Sequence, residues 1–279
     1  MTLHVTRSAG GTESDPAVVF IHGFPFDSAM WQPQLEALPP GWRGLAPDLR
    51  GFGRSELGAD RGELPSGSRT GGRVALPDEP VLTMDRMADD VAELIKTEAA
   101  SPAVICGLSM GGYLAFSLWR RHPQLVRALV LADTRADPDS DEARENRART
   151  AASARESGAR PVATAMLPLL LSERTLDERP EVGDAVRDMI LDTPRETLVA
   201  ALAGLAARRD STDTLSTITV PALVLVGEND GLTPLALAEA MVERLPQARL
   251  QVIPGAGHVA NLENPEAFNA ALVEFLDSL

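Results

Sequence analysis

The sequence predicts an α/β fold in which a mostly parallel central sheet is flanked by helices and interrupted by a helical lid. Short apolar runs rich in Val, Leu and Ile alternate with longer amphipathic stretches, which is the pattern of a parallel sheet covered by helices. Residues 135–215 break this alternation, because they carry helical patterns without a convincing strand. We therefore predict a core formed by residues 1–134 and 216–279 and a lid formed by residues 135–215.

The predicted strands share a short apolar run that stops at Gly, Pro or Asp. They are residues 17–21, 44–47, 103–107, 128–132, 222–226 and 250–253. The predicted core helices lie between these runs, at residues 28–38, 83–98, 110–122, 235–245 and 265–279. Within the lid, the apolar residues of segment 195–209 recur at the i, i+3, i+4, i+7 spacing of one helix face: Leu198, Ala201, Leu202 and Leu205.

Composition narrows the class of protein. The 279 residues carry 40 Asp and Glu against 26 Lys and Arg, a net charge of −14, which argues against binding to nucleic acid. Cys106 is the single cysteine, so an intramolecular disulfide or a zinc site of several thiolates is excluded. The sequence shows neither a signal peptide nor an apolar run of about 18 residues. We therefore expect a cytoplasmic protein that acts on a small molecule without contact with a membrane.

A nucleophile motif follows the third predicted strand. The sequence GLSMG at residues 107–111 is Gly-x-Ser-x-Gly, placed between a strand and a helix as a nucleophile elbow requires. Gly107 and Gly111 suit a turn in which strand and helix approach too closely for Cβ atoms. Such a turn would expose the hydroxyl of Ser109 at the start of a helix. Ser109 is the candidate nucleophile.

A serine nucleophile needs a base and an acid that orients the base. His258 follows the last strand in a Gly-rich loop and is the candidate base, whereas His4 is expected at the surface and His122 at the end of a helix. Asp230 follows the strand 222–226 and is the candidate acid. Asp133, after the preceding strand, remains a rival for this position. Glu228 is interpreted as a solvated turn residue.

Two backbone amides are candidates to stabilise an oxyanion. The amide of Met110 follows the nucleophile, and the amide of Phe24 lies in the loop after the first central strand. Pro25 has no N–H and cannot serve. His22, in the same loop, is interpreted as a structural residue.

These motifs resemble the α/β-hydrolase superfamily, and within it the small bacterial serine esterases, enol-lactonases and cofactor-free haloperoxidase-like enzymes. The matching segments are HGFP at 22–25, PDLRGFGRS at 47–55, GLSMGG at 107–112, GEND at 227–230 and GH at 257–258. The resemblance implies a lid inserted between strands of an α/β-hydrolase core, and a triad of Ser109, Asp230 and His258. In two places the chain departs from it: residues 56–80 form a longer loop, and residues 1–16 are short for a first hairpin.

The expected function is hydrolysis of carboxylic esters with small to medium acyl chains through an acyl-enzyme, with no cofactor and no metal. One alternative is a lactonase of the 3-oxoadipate enol-lactone type, although acidic residues outnumber the arginines of the lid. Another is a ligand-binding receptor of this fold with slow turnover. The apolar lid segment 162–171 packs within the lid or lines the substrate pocket with Met166, Leu167 and Leu170.

The long segment 56–80 holds five Gly, three Pro and two Ser. This composition predicts a mobile loop, and its place after a strand predicts that it lies on the same side of the sheet as Ser109. It is either a tolerated insertion or a flap that narrows access to the pocket.

Overall fold

The computed structural model describes residues 2–58, 74 and 79–279, in which seven strands form one sheet. The strands are β1 (Val5–Arg7), β2 (Ala17–Ile21), β3 (Arg43–Pro47), β4 (Ala103–Leu108), β5 (Val126–Ala132), β6 (Ala222–Gly227) and β7 (Ala248–Ile253). Their order is β1-β3-β2-β4-β5-β6-β7, with β1 antiparallel to β3 and each other pair parallel. The predicted α/β fold with a mostly parallel sheet is confirmed. The described N-terminal residues add one strand to its edge.

Twelve α-helices connect or extend these strands in the described part of the chain. They are α1 (Gln32–Ala37), α2 (Met84–Thr97), α3 (Met110–Arg121), α4 (Asp141–Ser157), α5 (Ala159–Leu170), α6 (Glu173–Glu178), α7 (Pro180–Asp192), α8 (Arg195–Ala206), α9 (Thr212–Leu215), α10 (Leu235–Val242), α11 (Ala260–Glu263) and α12 (Pro265–Asp277). The predicted helix 28–38 is divided into a 3₁₀ turn, Ser28–Trp31, and α1. None of the helices described here is long and apolar enough to span a bilayer.

The sheet is covered by helices. Helix α3 lies against β2, β4 and β5 and packs against α2, whereas α12 contacts β6, β7 and α1. Every residue of β2, β4 and β6 is buried, as expected for parallel strands covered on both faces. Strand β7 alternates between exposed and partly buried residues along most of its length, because it lies at an edge of the sheet.

Residues 133–221, all of which the structure describes, contain α4 to α9 and no strand. Helix α8 joins this insert to the core, and α4 packs against it. The carbonyl oxygen of Ala200 accepts from the amide of Leu82 at 3.0 Å, and the hydroxyl of Thr197 donates to the carbonyl oxygen of Gly51 at 2.8 Å. The predicted apolar face of α8 is buried, but so is every other residue from Thr197 to Ala206. The apolar spacing predicted a single buried face. The other faces are buried too, because α8 also packs against α4. The assignment of residues 135–215 as a lid stays a prediction.

The predicted loop at residues 56–80 falls mainly on residues 59–73 and 75–78, which lie outside the described residues. The predictions about its position, its mobility and its role as a flap therefore lie outside them as well. Of its described residues, Glu79 accepts a hydrogen bond from Nε of Arg155 in α4 at 2.7 Å. The guanidinium of Arg155 also donates to the carbonyl of Val74.

The packing of α8 generates a prediction about stability. A Cβ on Gly204 would lie 1.7 Å from the carbonyl oxygen of Leu82, so Gly204→Ala should force the insert away from the core and cost about 1–3 kcal/mol. Gly183→Ala in α7 is the matched control, because its nearest neighbours are leucine methyl carbons at 3.9 Å. That change should be neutral or stabilising by up to about 1 kcal/mol. Thermal unfolding checks both variants, and an unchanged Tm for Gly204→Ala would contradict this packing.

Candidate active site

Ser109 lies in a sharp turn between β4 and α3. Its φ is +53°, a left-handed conformation that residues other than glycine rarely adopt. A Cβ on Gly107 would meet the backbone of Gly111 at 2.4 Å, and a Cβ on Gly111 would meet the carbonyl oxygen of Ile21 at 2.1 Å. The amide of Ser109 donates to the carbonyl oxygen of Ala132 at 2.9 Å, which holds the strained residue against β5. The two glycines are therefore a steric condition for the turn.

His258 contacts both Ser109 and Asp230 through its ring. Its Nε2 lies 2.9 Å from Oγ of Ser109, and its Nδ1 lies 2.9 Å from Oδ2 of Asp230. The imidazole and the carboxylate are both buried. The structure thus brings together residues that are 149 and 28 positions apart in the chain. In this arrangement Nδ1–H can donate to the carboxylate while Nε2 accepts the hydroxyl proton of Ser109.

Asp230 is held by the turn that follows β6. Its Oδ1 accepts hydrogen bonds from the amides of Leu232 and Thr233 at 2.8 and 2.9 Å, and its Oδ2 accepts one from the hydroxyl of Thr233. Burial would raise the pKa of Asp230, but the interactions with His258 and Thr233 hold that pKa below its usual value. The carboxylate is therefore ionised where it meets the imidazole. Thr233 is a site residue that sequence reasoning missed.

Asp133, the rival acid, binds backbone rather than the imidazole. Its Oδ1 accepts from the amide of Gly227 at 2.8 Å and its Oδ2 from the amide of Ala260 at 3.2 Å. Burial raises the pKa of Asp133 well above its usual value, and the negative charge of Asp230 raises it further. Asp133 therefore joins the end of β6 to the start of α11. Glu228, the other weighed acid, is exposed and accepts from the amide of Gly255.

The two predicted oxyanion-binding residues, Phe24 and Met110, lie beside Ser109. All three residues line one pocket. Met110 is the first residue of α3, where an N–H has no partner within the helix. In the hydrogen bonds of the described residues, neither amide has an acceptor. The two N–H groups are thus available for an oxygen atom of a ligand.

The other three histidines have structural contacts. His22 accepts from the amide of Leu49 through Nε2 at 3.0 Å, and burial lowers its pKa, in keeping with a structural residue of the loop. His122 ends α3 and lies 2.8 Å from Oδ1 of Asp89. His4 precedes β1 and is partly exposed, and its backbone amide donates to the hydroxyl of Ser55 at 2.9 Å.

The pocket beside Ser109 has a volume of about 250 Å³. Its lining contains a set of apolar residues, called the apolar wall below, and a set of polar residues, called the polar wall. The apolar residues come mainly from α5 and α8 and from the loops around the site: Phe24, Met166, Leu169, Leu170, Leu202, Leu205 and Leu232. The polar residues come mainly from α4 and the loop after β5: Arg135, Asp139, Asn146, Arg147 and Thr150. Sequence reasoning missed this polar wall, although Ala143, Asn146, Arg147 and Thr150 follow the i, i+3, i+4, i+7 spacing of one helix face.

Leu167 is an exception among the predicted pocket residues. Met166 and Leu170 line the pocket, but Leu167 lies in a separate surface groove with Leu176 and Leu191. The reason is helical phase, because successive residues of a helix point about 100° apart. Leu169 takes the place on the pocket-facing side of α5 that the sequence prediction gave to Leu167.

The loop that carries His258 is fastened to the insert. The amides of His258 and Val259 donate to the carbonyl oxygen of Leu170 at 2.9 and 3.2 Å. The buried carboxylate of Glu263 accepts from the amide of Gly257 at 2.7 Å and from the amide of Ser172 at 2.8 Å. Glu263 was not predicted, since its partners are recognisable only when α5 lies against the loop.

The site offers no arrangement for a metal within the described residues, where no three His, Cys, Asp or Glu side chains are grouped to bind one. Cys106 is buried in β4, and burial raises the pKa of its thiol. A buried thiol of this kind is a packing residue.

Comparisons with known proteins point to one family. The family model described as alpha/beta hydrolase fold matches residues 16–265. A solved structure of a thermophilic esterase from Thermogutta terrifontis, described as malate bound, has 40% sequence identity and a TM-score of 0.87, covering 99% of this chain and 93% of that one. The enol-lactonase from Burkholderia xenovorans has 29% identity and a TM-score of 0.84, covering 99% and 96%.

A curated relative carries a third activity name. A putative non-heme bromoperoxidase from Mycobacterium tuberculosis is 30% identical over 272 residues, which is 95% of each chain. The relatives therefore share a fold across nearly their whole length while their names differ in reaction.

The double contact of Glu263 predicts a coupled loss of order. Glu263→Gln leaves one carbonyl oxygen for two buried amides, so one amide should lose its acceptor at a cost of about 1–3 kcal/mol. Tm should fall, and hydrogen exchange should accelerate in residues 255–263. Glu274→Gln on the exposed side of α12 is the control and should change neither measurement. Exchange that is unchanged in 255–263 would show that Glu263 does not hold this loop.

Proposed function

The chain belongs to the α/β-hydrolase family, and from that premise we propose that it is a serine hydrolase that cleaves carboxylic esters of small to medium acyl chains. The observation that carries the proposal is the continuous contact from Ser109 through His258 to Asp230, 2.9 Å at each step. The esterase and enol-lactonase structures of similar shape support the reaction class. Residues 135–215 act as the lid that supplies most of the pocket wall.

The proposed reaction begins with proton transfer from Ser109 to Nε2 of His258. The serine Oγ attacks the ester carbonyl, and the negative oxygen that forms accepts hydrogen bonds from the amides of Phe24 and Met110. The imidazolium, stabilised by Asp230, then gives its proton to the leaving alcohol. An acyl-enzyme on Ser109 remains, and His258 activates the water that releases the acid and restores the serine.

A lactonase of the enol-lactone type is the second candidate function. The Burkholderia relative named enol-lactonase supports it, and so does the presence of Arg135 and Arg147 in the pocket lining. A lactone ring is an internal ester, so the same triad would open it with the leaving alcohol still attached to the acyl-enzyme. A screen over ester chain length and lactones compares the two activities by kcat/KM.

Ser109→Ala and His258→Ala should each lower kcat for p-nitrophenyl butyrate by about 10⁴-fold or more, because nucleophile and base act in one step. The double variant should be scarcely slower than either single variant. Initial rates check this, with Ser117→Ala, which lies on the same helix but outside the triad, as the matched control. Losses that multiply in the double variant would mean that the two residues act in different steps.

The same ester separates an enzyme from a receptor of this fold. The proposed enzyme should release many equivalents of p-nitrophenol per protein, and mass spectrometry after rapid quenching should find any acyl adduct on Ser109. Release of a single equivalent, with a persistent adduct, would favour the receptor alternative.

The two buried aspartates should differ in their effect on catalysis. Asp230→Asn should lower kcat by about 10⁴-fold, because an amide no longer stabilises the imidazolium or selects the required tautomer. Asp133→Asn should lower kcat by less than about tenfold, since its partners are the amides of Gly227 and Ala260. Tm values measured beside kcat separate misfolding from catalysis. The opposite ranking would move the third member of the triad to Asp133.

A further inference from the structure

Each of two arginines in the polar wall has one guanidinium nitrogen without a hydrogen-bond partner among the described residues. Arg135 uses Nε and Nη2 on the carboxylate of Asp137, and Arg147 uses the same two nitrogens on the carboxylate of Asp139. Among the hydrogen bonds of the described residues, Nη1 of each has no acceptor. The two side chains are 30% and 23% exposed, and both residues line the pocket beside Ser109. They can therefore meet a ligand without leaving their present partners.

The cluster around these arginines has one positive charge in excess. Asp139 is shared, because Nη2 of Arg208 also donates to its Oδ1 at 2.9 Å. Arg208 is 3% exposed and lies over the ring of Tyr113, with 4.2 Å from its guanidinium carbon to the ring centroid. Three guanidinium groups thus face the carboxylates of Asp137 and Asp139. This local excess contrasts with the net charge of −14 over the whole chain.

Neutral donors complete the polar wall. Asn146 and Tyr113 line the same pocket, and their side-chain polar groups make no hydrogen bond to the described residues. The same pocket is lined by apolar residues of α5 and α8, and the two arginine side chains are only 30% and 23% exposed. Weaker solvation strengthens the attraction between a guanidinium and an anion. A free guanidinium nitrogen can donate a charge-assisted hydrogen bond to a carboxylate.

We propose that Arg135 and Arg147 form a carboxylate-binding subsite, so that the preferred substrates are esters or lactones that carry a second, ionised carboxyl group away from the scissile bond. This inference rests on the proposed function for the reaction, but the binding of the anion is independent of catalysis. The carbon chain between the two carboxyl groups lies against the apolar wall. The polar and apolar walls then select the two ends of one substrate.

Two esters of equal chain length test the subsite. Monomethyl adipate and methyl hexanoate differ by a carboxylate in place of a terminal methyl group. The wild-type protein should prefer the adipate ester in kcat/KM by about 10- to 100-fold, the range expected for hydrogen bonds to a charged group. In Arg147→Met and Arg135→Met, kcat/KM for the adipate ester should fall about tenfold more than that for the hexanoate ester. Arg147→Lys, which keeps the charge, should retain part of the preference.

Arg149→Met is the matched control, because Arg149 lies on the same helix with 67% of its side chain exposed and outside the pocket lining. Both rates should stay unchanged in this variant. A wild-type preference for methyl hexanoate, or an unchanged ratio in the variant that lacks both Arg135 and Arg147, would overturn the subsite.

Binding to Ser109→Ala separates failure of the subsite from failure of the proposed reaction. Calorimetry should show that this variant binds monomethyl adipate more tightly than methyl hexanoate. Adding Arg147→Met should remove the difference in Kd. Glutarate should compete for the site, whereas inorganic phosphate should compete more weakly. Competition by phosphate alone would overturn a carboxylate as the ligand. Tighter binding of the adipate ester without any hydrolysis by the wild type would keep the subsite and reject the ester hydrolase.

Discussion

The contacts of the candidate site depend on one close approach of backbone to backbone. Helix α3 begins so near to β2 that a Cβ at Gly111 would lie 2.1 Å from the carbonyl oxygen of Ile21. This approach requires the sharp turn at Ser109 and its φ of +53°. The turn brings Oγ within 2.9 Å of His258, and Met110, the first residue of α3, lines the same pocket. A strained residue of this kind persists only where its surroundings fix it, here through β5 and the two glycines.

The sequence could predict those features whose cause is local. An apolar run between turn residues identifies a buried strand, and Gly-x-Ser-x-Gly identifies the turn because its glycines are required by sterics. The polar wall was not predictable in this way, since Arg147, Asp139 and Arg208 meet only after α4 and α8 pack together. A count of charges over the whole insert conceals the local positive excess of the polar wall, because most acidic residues of the insert lie outside it. Leu167 was misplaced for a related reason: an apolar run does not reveal which side of α5 faces the pocket.

Two aspartates at neighbouring strand ends differ because their partners differ. Asp230 meets a histidine ring and a threonine hydroxyl, and these partners favour the ionised carboxylate. Asp133 lies one strand away, where burial and the charge of Asp230 favour the neutral acid. In the sequence, both residues occupy similar positions after a predicted strand. Their distinct hydrogen-bond partners are a property of the assembled sheet edge.

The insert and the histidine loop form one connected unit around the pocket. Leu170 contributes its side chain to the apolar wall and its carbonyl oxygen to the amides of His258 and Val259. Glu263 adds a second connection between the same two segments. The pocket lining at the carboxyl end of α5 is therefore fixed relative to the imidazole. Helix α4 lacks such a connection to the histidine loop in the described contacts, so its polar residues can vary without displacing the triad. In the proposed enzyme, the polar residues of α4 set the substrate preference, whereas the triad that cleaves the bond belongs to the core.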